Sequence, residues 1–159
     1  EDGSIAWVRV VGDWAYSSPA VNDETVYVGS YDEKLYALSA VTGGVRWTFD
    51  AGARIAGSPT VIGDLVWFST IARIPRNGRT YALNARTGRK VFTFPDGRYT
   101  PATGIDGLLV LTGEEYSRLK FAELHRGICD ALRGNRAPVV AEINQPDGTH
   151  RIIRSRKAK

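Results

Sequence analysis

The chain has no methionine, one cysteine and two histidines in 159 residues. Each shortage closes off a class of answers. A single thiol, Cys129, excludes an internal disulfide. With no nucleophile signature around it, Cys129 reads as a small buried apolar residue. His125 and His150 stand 25 residues apart with no acidic or cysteine neighbour at motif spacing, so both are expected at the surface. The absence of methionine means that Glu1 is not expected to be a translation start. A removed leader or a longer parent polypeptide is the expectation instead. No apolar run approaches the roughly 18–20 residues of a membrane-spanning helix, so no span is predicted. Glu114 and Glu115 are adjacent carboxylates, but neighbours on a strand point to opposite faces. A solvated turn is favoured there over an acid–base pair.

What is present is an ordinary globular composition, 43% hydrophobic and 24% charged. That is enough apolar content for one domain with a real core. The net charge of +4 is unevenly spread. Residues 1–124 carry 13 Lys/Arg against 14 Asp/Glu, whereas residues 125–159 carry 8 against 3. The basic character belongs to the tail. Such a tail can attract phosphate or anionic headgroups, but a solvated end that aids solubility is the plainer reading. Nucleic-acid binding would rest on this tail alone and is not expected.

Self-comparison is more informative. Ser18-Pro19-Ala20-Val21 returns as Ser58-Pro59-Thr60-Val61 and, loosely, as Thr100-Pro101-Ala102-Thr103. Tyr36-Ala37-Leu38 returns as Tyr81-Ala82-Leu83, with Phe121-Ala122-Glu123-Leu124 a weaker third copy. Thr42-Gly43 returns as Thr87-Gly88, and Trp7, Trp47 and Phe92 close successive units at spacings of 40 and 45 residues. A fixed period in this range marks a repeat architecture. The surplus of five places an inserted loop near Thr70–Arg79. Short alternating runs broken by turn residues predict strands near 17–22, 25–30, 34–39 and 44–49 in the first unit. The second is predicted near 58–62, 65–71, 79–84 and 89–94, and the third near 100–105, 108–113 and 118–124. A hairpin is predicted over 138–154 around Pro146-Asp147-Gly148, and a short helix or loop over Gly127–Leu132.

Each recurring residue has a physical task. Proline has no amide donor, so Pro19, Pro59 and Pro101 suit the first position of a strand. Gly43 and Gly88 supply the positive φ that closes a short hairpin. In Tyr-Ala-Leu, tyrosine and leucine share one face and the small alanine lets a neighbouring sheet approach the other. Trp47 and Phe92 are expected to cover the seam between neighbouring sheets.

At this point the chain resembles a known family. Ser-Pro-Ala-Val, Val26-Tyr27-Val28-Gly29-Ser30, Leu35-Tyr36-Ala37-Leu38, Thr42-Gly43 and Trp47 together are similar to the PQQ-like propeller repeat. The family usually has Asp after Tyr-Ala-Leu, where this chain has Ser39 and Asn84. The resemblance implies an all-β fold: a partial β-propeller of about three four-stranded antiparallel blades over residues 1–124. Residues 125–159 would form a basic C-terminal segment whose hairpin completes or caps the last blade. Propellers close with about 4–8 blades, so other protein chains, including a second copy that completes a ring, are expected partners.

Quinoprotein dehydrogenases of the family would need a PQQ-stacking Trp, a calcium site and adjacent cysteines, and that ligand set is not found in the sequence. No cofactor, metal or catalytic residue is therefore predicted. The leading expectation is a non-catalytic binding or scaffolding module in the periplasm, cell envelope or extracellular space. The alternatives are a fragment or subunit of a PQQ-dependent dehydrogenase, or the sensory domain of a receptor or kinase. Loops entering the innermost strands place Trp14, Arg54 and Asp96 in equivalent positions, followed by Tyr16, Ala56 and Arg98. Trp, Tyr and Arg are common binding anchors. Arg73, Arg76 and Arg79 on the inserted loop could grip an anionic partner. Plain loop packing and a solvated hairpin are the respective bland readings.

Overall fold

The first two repeats fold into two copies of one four-stranded meander. The computed structural model describes residues 2–71, 78–94, 103–105, 108–111, 140–144 and 150–154. The first sheet consists of β1 (Ala20–Asn22), β2 (Thr25–Gly29), β3 (Lys34–Ser39) and β4 (Val45–Asp50), each antiparallel to its neighbour. The second repeats this with β5 (Thr60–Ile62), β6 (Leu65–Ser69), β7 (Thr80–Asn84) and β8 (Lys90–Phe94). Tyr36 pairs with Val28 and Thr48, and Tyr81 with Phe68 and Thr93, so the two tyrosines hold equivalent places. Each sheet shifts register just after the repeat's alanine, at Ala37/Leu38 and at Ala82/Leu83. The strands begin immediately after Pro19 and Pro59, so the prolines precede the ladder instead of opening it. A residue without an amide donor loses nothing there.

The core lies in the seam between these sheets. Tyr27, Leu35 and Ala37 of the first face Val66, Phe68, Tyr81 and Leu83 of the second, and Ile55 and Ala51 of the connection fill the gap. Phe68 and Tyr81 stack at 5.2 Å, and Phe49 meets both edge-on. Three buried polar tips find backbone acceptors across the seam, while Trp67 Nε1 and Thr93 Oγ1 are buried without a partner among the described residues. The Tyr81 hydroxyl donates to the Ala51 carbonyl (3.1 Å), while Tyr27 OH and Trp47 Nε1 both donate to the Ala85 carbonyl (3.0 Å each). Ala37 and Ala82 are fully buried, as the need for close sheet approach requires.

Trp47 also explains its glycine. Gly88 has φ +70, and a Cβ there would stand 2.7 Å from the Trp47 ring. Trp7 repeats the arrangement on the first sheet. Its Nε1 donates to the Ala40 carbonyl (2.8 Å), and a Cβ on Gly43 (φ +66) would stand 2.6 Å from its ring. Yet no strand is assigned to residues 2–19, and Ile5, Val8 and Val10 are exposed. The indole locks without a sheet around it.

The third sheet has the order β12-β11-β10-β9, with β9 (Thr103–Ile105), β10 (Leu108–Leu111), β11 (Val140–Asn144) and β12 (His150–Arg154). It keeps four strands but differs in one pairing: β10 and β11 run parallel. The 28 residues between Leu111 and Val140 provide the long crossover that a parallel pair needs. β11 and β12 pair antiparallel, from Val140↔Arg154 to Asn144↔His150. The positions 118–124, the stretch Gly127–Leu132, Cys129, His125 and the Glu114–Glu115 pair lie outside the described residues. The innermost strands β1, β5 and β9 neighbour one another in turn, which is the geometry of blades around an axis.

Candidate functional site

In each meander the connection entering the innermost strand and the β2–β3-type turn lie at one end of the sheet. That end gathers the exposed aromatic residues. Trp14 and Tyr16 enter β1 and are 65% and 61% exposed. Tyr31 sits in the β2–β3 turn, and Arg54 enters β5 from the other side. The Trp14 and Tyr16 rings meet edge-on at 5.4 Å, and Tyr16 lies tilted against Tyr31 at 5.1 Å. The Arg54 guanidinium then rests over the Tyr31 ring at 5.3 Å, a cation–π contact. Four side chains from three loops thus form one continuous patch.

Backbone hydrogen bonds hold it. Tyr31 N donates to Trp14 O (2.9 Å), and Ile71 N donates to Arg54 O (2.8 Å). Both bonds join residues 17 apart in the two repeats, so Trp14 and Arg54 are structurally equivalent, as the alignment of repeats implies. Ile55 N reaches Ser30 O (3.1 Å), and Ser30 Oγ reaches Asp13 O (3.1 Å). Asp32 is the electrostatic anchor of the same end. Its carboxylate accepts from the Gly12 amide (3.0 Å), the Lys34 amide (3.1 Å) and the Tyr36 hydroxyl. Burial works against the Asp32 charge, but bonds from Tyr36, Ser30 and the two amides outweigh it and hold its pKa below the usual carboxylate value. The Tyr36 phenol is pushed up, first by burial and then by that same carboxylate. A Cβ on Gly12 would stand 2.5 Å from Asp32 Oδ2, so a larger residue there would push the carboxylate aside.

Of the residues singled out from sequence, the structure joins Trp14, Tyr16 and Arg54. Arg79 is exposed and makes no recorded contact with them. It closes the inserted loop by donating its amide to Thr70 Oγ1 (2.9 Å) and accepting from Thr70 N (2.8 Å). Ala56 is half-buried. Arg73, Arg76, Asp96 and Arg98 lie outside the described residues. Tyr31 was missed by sequence reasoning. The signal that finds it is register: Tyr31 and Ile71 occupy the same turn of successive repeats, facing the same end. The opposite end carries a different feature, an open groove of about 720 Å³ lined by Asp23, Glu24, Arg46, Asp64, Asn84 and Arg86, among others. Arg46 is engaged there by Thr25 (3.0 Å) and Glu24 (3.4 Å).

A family model described as outer membrane protein assembly factor BamB matches residues 1–149. The chain belongs to this family of PQQ-like repeat proteins. The outer membrane protein assembly factor BamB of Yersinia pestis is 29% identical over 107 residues, 67% of this chain and 27% of that protein. The crystal structure of BamB from Moraxella catarrhalis superposes with a TM-score of 0.56 at 25% identity, covering 65% of this chain and 32% of that one. The chain thus spans roughly a quarter to a third of the length of these relatives. The quinohemoprotein alcohol dehydrogenase of Comamonas testosteroni matches more loosely: TM-score 0.45, 28% identity, 48% of this chain and 12% of that one. That likeness is too loose to bear on chemistry.

The donors of a calcium-assisted quinone site are not assembled among the described residues. No group of three or more His, Cys, Asp or Glu could hold a metal there. Trp47 packs on Tyr27, Trp67 is buried against Phe92, and Trp14 meets Tyr16 edge-on. Among the described residues no helix is long and apolar enough to cross a membrane.

Proposed function

We propose that the chain is a non-catalytic docking module of a cell-envelope protein assembly, working on the periplasmic side. It offers the patch of Trp14, Tyr16, Tyr31 and Arg54 to another polypeptide. The observation that carries this reading is the concentration of exposed Trp, Tyr and Arg at one end of a repeat scaffold whose first two sheets are already packed on each other. Those residue types dominate binding hot spots, and loops on a rigid scaffold are where propellers vary. Membership of an assembly-factor family agrees with it. In this reading residues 1–124 carry the repeats, and the segment 125–159 supplies the hairpin that completes the third blade.

The test is photo-cross-linking in the native cell, with a benzophenone amino acid placed at position 14 or, as control, at position 45 on the outer strand. The expected result is a discrete adduct with an envelope protein from position 14 and none from position 45. Stoichiometric PQQ uptake with dye-linked alcohol oxidation by the purified chain would defeat the docking reading and favour a dehydrogenase piece.

A further inference from the structure

We propose that the outward face of the first sheet, with residues 5–10 lying along it, seats a three-stranded antiparallel sheet of the same repeat carried by another polypeptide. Residues 5–10 become its fourth strand. This surface uses none of Trp14, Tyr16, Tyr31 and Arg54, so the inference stands apart from the docking patch. Three observations carry it.

Residues 2–10 match the end of a repeat unit whose other strands are absent among the described residues. The 40-residue period sets Asp2-Gly3-Ser4 on Thr42-Gly43-Gly44, and residues 5–10 on β4. Gly3 has φ +72, where Gly43 has +66 and Gly88 +70. Ser4 N donates to Asp2 Oδ1 (2.9 Å), as Gly44 N donates to Thr42 Oγ1 (3.2 Å). Trp7 Nε1 and Arg9 Nε donate to Ala40 O and Gly43 O (2.8 Å each), which ties the segment to the first sheet. No helix or bend interrupts 5–10, yet no described strand pairs with it. An unpaired edge of this kind is a template for another strand.

The face beneath is open where its counterpart is closed. Val66, Phe68 and Tyr81 of the second sheet are 0%, 0% and 6% exposed because the first sheet packs on them, and Val61 joins that cluster. The equivalent positions in the first sheet are Val26, Val28, Tyr36 and Val21. The first three are only half-buried, and Val21 is 63% exposed. The third sheet does not supply the cover. β1 neighbours β5 and β5 neighbours β9, so it lies beyond the second sheet.

The seam already built states what fits. Tyr27, Leu35 and Ala37 are the side chains that one unit lays on the next. The repeat's alanine stands opposite the aromatic of the outer strand, as Ala37↔Trp47 and Ala82↔Phe92. The incoming sheet therefore brings an aromatic and a leucine to the face and a small residue opposite Trp7. Apolar burial and strand pairing select it, not charge.

The experiment uses the whole chain and a fluorescent synthetic peptide with the sequence of Ala20–Ser39, the three strands that precede β4. Saturable one-to-one binding is expected by anisotropy. Hydrogen exchange of the amides at 5–10 should slow by about tenfold or more in the complex. Ala37→Leu in the peptide, and Trp7→Ala or Val28→Lys in the chain, should each weaken binding by about tenfold. The unfolding midpoint checks that the chain variants stay folded, and the peptide variant leaves the chain untouched.

No binding, or binding that all three substitutions leave unchanged, overturns the inference. A dimer of the chain in light scattering that excludes the peptide overturns it in favour of a second copy. A chain with residues 20–41 duplicated ahead of Asp2 examines the remaining source. A raised unfolding midpoint there, with no capture of the peptide by the parent chain, overturns the separate partner in favour of a sheet on the same polypeptide.

Discussion

The two indoles Trp7 and Trp47 perform one task in two settings. Trp47 sits in β4, packs at 5.8 Å on Tyr27, donates to Ala85 O and covers Gly88. Trp7 donates to Ala40 O and covers Gly43, with no strand around it and Ile5, Val8 and Val10 exposed at 81%, 78% and 86%. The comparison teaches that the repeat's indole–glycine lock is a local device, and that the sheet around it supplies the burial. Repeat proteins behave this way, as sums of unit stabilities and nearest-neighbour interfaces.

The contrast can be broken first at the indoles. Trp47→Ala is expected to cost about 3 kcal/mol in denaturant unfolding, and Trp7→Ala about 1 kcal/mol, because only the first empties a built seam. Equal losses would erase the distinction. Next come the glycines. Gly88→Ala forces a positive φ and drives Cβ into the Trp47 ring, for an expected loss of about 2 kcal/mol. Gly43→Ala should cost visibly less, since Trp7 is held by a hydrogen bond to Ala40 O with no strand around it. A larger cost at Gly43 would show that residues 2–12 belong to the cooperative core.

The tyrosines sharpen the same comparison. Tyr81 donates to a backbone carbonyl and Tyr36 to the Asp32 carboxylate. Tyr81→Phe should cost about 1 kcal/mol from acid to neutral pH, where its hydroxyl, its pKa pushed up by burial, stays protonated and its carbonyl acceptor does not titrate. Asp32 behaves otherwise. Its folded pKa lies below the unfolded value, so its contribution is complete at neutral pH. It is lost as the pH falls through the folded pKa, below roughly pH 4. The deficit of Asp32→Asn relative to the parent chain should therefore be present near neutrality and shrink as the pH falls below the usual carboxylate range in urea titrations. A deficit independent of pH would remove the anchoring role given to that carboxylate.

Much of this was legible because the governing signals are local. Alternation and the turn residues place β2 and β3 at 25–29 and 34–39, close to the predicted 25–30 and 34–39. The equivalence of Trp14 and Arg54 followed from counting repeats, and matching backbone bonds to Tyr31 and Ile71 display it. Two things were not legible. The parallel pairing of Leu108–Leu111 with Val140–Asn144 joins segments 28 residues apart, and no local pattern encodes a partner at that distance. Tyr31 joined the patch through ring contacts across turns, where a turn tyrosine reads only as solvent-facing. Sequence also could not say that Arg54 would rest on that ring, since the contact depends on the pitch between neighbouring blades.

The measurement that bears most directly on the docking claim is the paired substitution Trp14→Ala with Arg54→Gln, followed in two channels at once. The account predicts an unfolding midpoint within about 0.5 kcal/mol of the parent chain, as exposed sites allow. It also predicts loss of the envelope adduct formed from a benzophenone at position 16. A clear drop in stability with the adduct preserved would show these side chains to be loop packing, and the account would be contradicted.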